Sequence, residues 1–477
     1  MGGSWNENEK KVRAGFYMRF VSKAIEAIKG GSRGIVAIPI KANWGPAKQI
    51  VEITSEKELI DNYGTDVAGN FTAYNALRLC MLGKPQKILG YRMVDGTEVA
   101  PFVTLADTTG VPVNVLKLES LYPTTRDFKV TARDNAVDPA NKKDIVLYEG
   151  ATQLLVFTFD KGDIDNAVAA INDDADNRWI KVTKLADGNN TLADITDQPM
   201  TGGNAGVAAI TSAHYTEAMT AFEARQFNAF TLDGLSDGAI QTSVKAWVDR
   251  LRGEGKKIVA FVGGASADDQ NITNANIRST GFNFEGVVNV GVGVELDGVQ
   301  YSSAYHACYV AGKASGQQLK ESLTYAATPF DDVIPRLTDS EIKSAILAGT
   351  LVAFHNGSQV IYDKAINTLT TLGADQGSVW KKIKGVRIMD AIETDGNELA
   401  QSSYIGKIIN NKDGQIGFLS GLKRYFETLS PTLIADDFTV EEDTDKTANA
   451  LADEFYWRYD AKLIDSMENI YGTGYIR

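Results

Sequence analysis

The stretch FNAFTLDGLSDGAIQTSVKAWVDRLRGEGKKIVAFV, residues 227–262, decides the fold, because it reads end to end as one β-α-β unit. Phe227, Ala229, Phe230 and Leu232 make a short apolar strand. After the turn at 233–238, apolar side chains recur at Ile240, Val244, Trp247, Val248 and Leu251, one stripe of a 3.6-residue period. Ser236 or Asp237 can cap this helix, since a short side-chain oxygen accepts from amides left unpaired in the first turn, and Gly253 and Gly255 stop it. Residues 258–262 then run Ile-Val-Ala-Phe-Val with no polar alternation, as in a strand covered on both faces of a parallel sheet. A wound α/β core follows, although such sheets host many unrelated functions.

This unit sits in a chain of 477 residues, 44% hydrophobic and 23% charged, which can bury several cores and form roughly three or four domains. The net charge of −13 comes with no cluster of Lys and Arg, which argues against a nucleic-acid partner because phosphate contacts need one. Cys80 and Cys308 are too few for a disulfide framework and read as reduced, buried thiols of a protein made in the cytoplasm. No apolar run approaches the ~18 residues of a membrane span. Residues 1–9 lack the apolar core of an export signal, and Asn6 stands where a myristoylation start needs Ser or Thr. Neither membrane insertion nor anchoring is expected.

Upstream, residues 10–20 alternate, with Val12, Ala14, Phe16, Met18 and Phe20 on one face and Lys11, Arg13, Gly15, Tyr17 and Arg19 on the other. That is a strand with no adjacent hairpin partner, and it needs a distant edge. Residues 34–40 and 49–53 read as strands around a Trp44-Gly45-Pro46 turn, 55–63 and 71–82 as helices, and 87–93 as a closing strand. Between 96 and 192, β-runs at 111–118, 128–132, 145–148, 154–159 and 179–182 alternate with Asp-rich turns, which predicts a β-sandwich insertion. Residues 191–206 read as a loop and 211–225 as a helix. Asp297-Gly298 and Asn356-Gly357 mark hairpins. Ala304, Ala307, Cys308, Ala311 and Ala314 line a helix with small side chains that lets it press on the sheet. The last part, 373–477, mixes helices such as 417–429 with an acidic turn at 441–445 and ends in a strand-like 470–476.

Motifs for catalysis or ligand binding each fail on a particular residue. Gly312-Lys313 mimics a phosphate loop, but Ala307 and Ala314 stand where a glycine and a hydroxyl residue are required, so helix packing is the better reading. Gly291 and Gly293 are followed by Glu295 and Leu296 rather than a helix-opening glycine, which fits a bent strand. His214, His306 and His355 lack paired zinc spacing. The nearest approach to a nucleophile elbow, 263–267, ends in Ala267, which leaves a hydrolase acting through Ser266 only as a rival reading. The acidic runs at 173–176 and 441–445 lack the glycine and terminal glutamate of a calcium loop. No catalytic residue, cofactor or metal is assigned.

Four stretches carry a resemblance to a known family. They are Arg13-Ala14-Gly15-Phe16-Tyr17 with residues 33–36 and 44–46; the glycine-rich 200–206; residues 307–325 with Val310-Ala311-Gly312-Lys313-Ala314; and 366–371 followed by 384–390 and 465–471. In this order and spacing the chain resembles the sheath protein of contractile bacteriophage tails and phage-tail-like particles. Thr124-Thr125-Arg126-Asp127 departs from a glycine-asparagine turn common in that family.

The resemblance implies a virion structural protein: hexameric rings of subunits stacked in a helical assembly around a tail tube, which contract to drive the tube through a target envelope for genome ejection. It implies further contacts with baseplate and tail terminator proteins, synthesis in the bacterial host cytoplasm, and a central subtilisin-like α/β domain without catalysis. The sheath of a bacteriocin or extracellular injection particle is the alternative. The expected organisation is α/β multidomain: an arm at 1–30, a small α/β domain at 31–95, the sandwich at 96–192, the central domain at 200–355, and a carboxy-terminal α+β domain at 356–477 ending in a second arm. Val12, Phe16, Met18 and Phe20, with Ile470, Tyr475 and Ile476, are the expected inter-subunit arm residues. Residues 29–32 and 436–446 are the expected hinges. Lys423 and Arg424 are the expected tube-facing residues.

Overall fold

The computed structural model describes residues 33–476. The arm residues Val12, Phe16, Met18 and Phe20 and the hinge at 29–32 lie outside the described residues.

The first segment supplies β1 (Ile35–Ile40), β2 (Ile50–Ile53), α1 (Glu56–Tyr63), α2 (Ala73–Leu82) and β3 (Lys87–Arg92). Ser55 caps α1 by accepting from the Glu58 amide. All six residues of β1 are buried, so both its edges and both its faces need partners. β3 pairs parallel to it on one edge and β2 closes antiparallel against β3.

The insertion follows with β4 (Phe102–Ala106), β5 (Asn114–Ser120), β6 (Phe128–Asp134), β7 (Lys142–Glu149), β8 (Thr152–Asp160), α3 (Ile164–Asn172), β9 (Ile180–Lys184) and β10 (Ile195–Pro199). A three-stranded sheet, β4-β5-β9, and a four-stranded one, β10-β6-β7-β8, enclose a core that includes Leu116, Leu118, Val130, Leu147 and Phe157. This is the expected sandwich, but it extends past 192, because 191–206 contains β10 as well as a loop. Trp44 of the first segment is buried in this core, with Tyr122, Phe128 and Trp179 around its ring. The Gly45 beside it has φ +99°, and a Cβ there would sit 2.1 Å from the Asn62 carbonyl. The divergent 124–127 turn is held from the same segment, since Asn43 Oδ1 accepts from the Thr125 amide and hydroxyl, each at 2.9 Å. Arg126 lies over Trp44 and Trp179 and donates through Nη2 to Glu149 at 2.8 Å.

Where the insertion leaves and rejoins the body, residue pairs Val99 with Asn204 and Phe102 with Thr201 bridge the two connections. The buried Arg92 donates to three carbonyls at this junction: Gly45 at 2.6 Å, Pro123 at 2.8 Å and Ala205 at 3.1 Å.

The central part contains α4 (Ser212–Glu223), β11 (Ala229–Thr231), α5 (Gly238–Gly253), β12 (Val259–Gly263), α6 (Ser266–Asp269), α7 (Ile272–Phe282) and β13 (Val287–Val290). It continues with β14 (Gly293–Leu296), β15 (Val299–Tyr301), α8 (Ser303–Gly316), β16 (Asp332–Ile334), α9 (Asp339–Leu347), β17 (Thr350–Leu351), β18 (Ala353–His355) and β19 (Val360–Tyr362). The β-α-β unit is present as read, with Asp237 as the cap and β11 parallel to β12.

One seven-stranded sheet runs β17-β13-β12-β11-β1-β3-β2. Residues 31–95 and 200–355 therefore share a sheet rather than each closing its own, with Val36 paired to Ala229. The Asp297-Gly298 hairpin lies outside this sheet, joined with β16 in a three-stranded one, and the chain turns away from β13 through Gly291.

Helix α8 presses on α2 as well as on the sheet. A Cβ on Gly312 would fall 2.0 Å from the Cys80 carbonyl oxygen and one on Gly316 2.1 Å from that of Lys84, so the two backbones meet with no side chain between them. Cys80 and Cys308 are both fully buried at this face of the core. His306, also on α8, donates from Nδ1 to the Val292 carbonyl at 2.9 Å and accepts at Nε2 from the Tyr362 hydroxyl at 2.8 Å.

The last part has α10 (Ile383–Leu399), α11 (Lys412–Leu429), β20 (Thr439–Glu442), α12 (Thr444–Thr447) and β21 (Trp457–Asp460). Asp395–Ile464 forms one compact unit, while the described residues from 33 to 394 belong with the tail from Asp465 to a second. The acidic turn expected at 441–445, inside the expected hinge at 436–446, is corrected here: Glu441 and Glu442 stand in β20, paired with β21, and their charges meet Arg458 and Lys412. Nor do residues 470–476 form a strand, since a lone extended segment has no ladder to join. Among the described residues, no helix is long and apolar enough to cross a membrane.

Two expectations follow. Gly312→Ala lowers unfolding free energy by about 3 kcal/mol, the upper end for overpacking, because the Cys80 carbonyl is backbone and cannot swing away; urea unfolding measures it. Burial lowers the His306 pKa to about 4, so the stability held by its neutral form is complete above about pH 6.5 and is lost as pH falls toward 4, about 3 kcal/mol in all. Burial raises Asp269 to about 6, and its contribution runs the other way, complete below about 3.8 and lost as pH rises through 6. The two slopes offset between pH 4 and 6, so the test is the stability difference between wild type and His306→Gln. That difference shrinks by about 2 to 3 kcal/mol from pH 6.5 to 4, and a pH-independent difference rejects the assignment.

Candidate functional site

Open parallel sheets place ligands beyond the carboxyl ends of their strands, and here buried polar side chains at that edge are engaged in structural contacts. Asp233, just past β11, is buried and accepts from the Thr72 hydroxyl at 2.6 Å and the Tyr215 hydroxyl at 2.7 Å, with Lys41 Nζ at 3.5 Å. Past β12, Gly264 donates to Ser303 Oγ at 2.6 Å, and Ser303 donates to Asp269 at 2.5 Å. Ser266 opens α6, and among the described residues no histidine bonds a serine or cysteine. His214 caps α4 through Thr211, His306 is committed within the core, and His355 accepts from the Gly357 amide in a hairpin. The phosphate-loop mimic is filled by α2, as the Gly312 contact requires. No group of His, Cys, Asp or Glu suited to a metal occurs among the described residues.

The tail is anchored at its base and exposed beyond it. Lys382 donates to Glu468 Oε2 at 2.8 Å and also pairs with Asp465. The Thr324 hydroxyl donates to Glu468 Oε1 at 3.0 Å, and Lys384 to the Ser466 hydroxyl at 3.2 Å. Beyond this point Ile470, Tyr471, Tyr475 and Ile476 are at least 81% exposed, four large apolar side chains within seven residues. Burying such side chains stabilises by about 1.5 to 3 kcal/mol each, so their exposure in a single copy is a cost that a covering surface would remove.

The sequence reading selected Ile470, Tyr475 and Ile476 but missed their anchor, because Lys382 and Glu468 stand 86 residues apart. The available signal was that 384–390 and 465–471 both belong to the fourth stretch of the resemblance, and Lys384 and Ser466 are indeed in contact.

In the compact unit Asp395–Ile464, β20 and β21 make a two-stranded sheet that pairs with no further strand among the described residues. Helix α11 buries Leu422, Tyr425, Phe426 and Leu429, with the Tyr425 hydroxyl donating to Asp395 at 2.6 Å. Lys423 and Arg424 stand on its exposed face, with no ion pair to any described residue.

Family models match almost the whole described chain: a tail sheath protein Gp18 domain III N-terminal region at 33–79, a phage tail sheath protein beta-sandwich domain at 95–205, a phage tail sheath protein central domain at 208–368, and a phage tail sheath C-terminal domain at 375–477. The phage-like element PBSX protein XkdK of Bacillus subtilis is 24% identical over 506 residues, covering 98% of each chain. Among solved structures, the sheath tail protein from Desulfitobacterium hafniense has a TM-score of 0.70 at 24% identity, covering 94% of this chain and 100% of its own. The anti-feeding prophage helical sheath in its contracted state has a TM-score of 0.54 at 12% identity, covering 98% and 99%. With four successive domain models in register along it, the chain belongs to the phage tail sheath family.

Proposed function

We propose that this chain is the repeating subunit of a contractile sheath, assembled as stacked hexameric rings around a tail tube and joined by strand exchange through its two terminal arms. The observation that carries the reading is the tail: an anchored base followed by a run of exposed apolar residues with no partner among the described residues. Residues 10–20, with Val12, Phe16, Met18 and Phe20 on one face, form the other arm. The two-stranded sheet β20-β21, which pairs with no further strand among the described residues, supports an acceptor role, because a sheet edge offers a row of amides and carbonyls to an incoming strand. Each backbone bond adds only about 0.5 to 1.5 kcal/mol net, so several per arm and many arms per ring are needed to keep subunits joined while their bodies rotate.

In this reading the particle is a phage tail or a phage-tail-like injection device, built in the bacterial cytoplasm. Likeness in fold to the anti-feeding prophage sheath supports the second possibility as well as the first. The neighbouring genes distinguish them. Partners are further copies of this chain, the tube, the baseplate and the tail terminator. The central domain at 200–355 takes the part of a subtilisin-like layer without catalysis, the sandwich at 96–192 an outward decoration, and 356–477 the tube-facing mesh. Contraction releases a metastable arrangement and consumes no nucleotide.

Deleting residues 1–20 leaves a folded monomer by circular dichroism and abolishes tubes in electron micrographs; normal tubes from the truncated chain reject the arm. Lys423 and Arg424 are the candidate tube contacts. The double reversal K423E/R424E lowers co-assembly with the tube protein by at least about tenfold at low salt, as expected where opposed charges steer docking. Co-assembly at the wild-type level removes them from the interface.

A further inference from the structure

The tail is not free along its whole length. It leaves the compact unit Asp395–Ile464 and returns at Asp465 to the unit that holds the seven-stranded sheet. There Lys382, at the amino end of α10, takes both Asp465 and Glu468, residues three apart in sequence. Glu468 is more than a salt-bridge partner. Its side chain is only 9% exposed, and its second oxygen accepts from the Thr324 hydroxyl, which itself accepts from the Ala365 amide at 3.0 Å. The carboxylate is thus tied through two separate groups to the body. Burial pulls the Lys382 pKa down, but the hydrogen bonds it donates to the Asp465 and Glu468 carboxylates outweigh that and raise it above the ordinary lysine value, so the ammonium is charged at neutral pH. Two residues past Glu468 the apolar side chains are already largely exposed, from Ile470 at 81% to Ile476 at 101%.

We propose that Lys382, gripping Asp465 and Glu468, is the pivot of the carboxy-terminal arm, fixing where its free part, residues 469 onward, departs toward a second copy of this chain. The inference rests on the sheath reading above and goes further by naming the residue that aims the arm. Residues 469–476, fully extended, span at most about 26 to 29 Å, so the acceptor edge of the second copy lies within that radius of Glu468. A loose base would let the same residues sweep a much larger volume and dilute the arm at its target, which is the general cost of a longer flexible linker. Lys382 is in this sense a positioning residue: it contributes little area to any interface but sets the effective concentration of the residues that do.

The test compares the full chain with K382M, which keeps the aliphatic stem and removes the charge, with K382R, and with a chain truncated after Asn469. Hydrogen exchange on monomer reads the grip, and turbidity with electron microscopy reads assembly across ionic strength. For K382M we expect faster exchange at 465–468, an unchanged monomer melting profile, and tube formation slowed by at least about tenfold. K382R should restore both. Raising salt should slow the wild type toward K382M while leaving K382M nearly unaffected, because a partly exposed ion pair is screened. K382M that assembles at the wild-type rate, or that exchanges at 465–468 as the wild type does, overturns the pivot. Tubes from the truncated chain would instead overturn the arm reading itself, so the two failures are told apart.

Discussion

The six residues of β1 carry no polar side chain and are wholly buried, yet each brings a backbone amide, carbonyl or both that must be paired. No hairpin can satisfy them, because a central strand in a parallel sheet needs a partner on each edge and cover on each face. One edge is met by Lys87–Arg92 and the other by Ala229–Thr231, nearly two hundred residues later. From that constraint the architecture follows. The chain must travel from the third strand of the sheet to the fourth, and the sandwich is built into the journey. The first segment cannot stand apart: it shares one α/β sheet with the central part, and the sandwich grows out between them.

How the outgrowth is held illustrates which forces decide. Arg92 is fully buried, and among the described residues it has no carboxylate within ion-pair distance; it is solvated by carbonyls from the first segment, from the turn between β5 and β6 and from the return connection of the sandwich. Burial lowers its pKa to about 10, which still leaves it charged at neutral pH. Three carbonyl dipoles offset part of the desolvation that makes such a charge costly, while Nε has no hydrogen-bond partner among the described residues. Trp44 adds the apolar half of the joint by filling the sandwich core from outside it. One side chain thus seals the polar seam and another the apolar one.

How far the sequence carried the argument depended on whether a signal was local. The β-α-β unit, the Ser55 and Asp237 caps and the Asp297-Gly298 hairpin were legible because each is encoded within a few residues; Asp297 and Gly298 take φ of +52° and +75°, as a two-residue turn demands. β10 was not legible, since four of its five residues are exposed and only backbone pairing with β6 makes it a strand. α3 could have been found, with Asp163 as its cap and Ile164, Ala167 and Ile171 on one face, but strand-like neighbours on both sides hid it. Glu441 and Glu442 looked like a solvated turn because Arg458 and Lys412, which answer their charges, lie far away in sequence. The face of α11 that displays Lys423 and Arg424 was readable from helical period; the grip of Lys382 on the tail was not.

The close approach of α2 and α8 also has a chemical side. Cys80 and Cys308 are the only thiols of the chain, and both are sealed there without access to solvent. Burial pushes Cys308 up to about 12 and Cys80 well above its ordinary value, so neither holds a thiolate at neutral pH. Since the thiolate is the reactive form, oxidants and alkylating agents find nothing to attack while the helices stay together. The folded chain therefore keeps the same covalent structure in reducing and in oxidising surroundings.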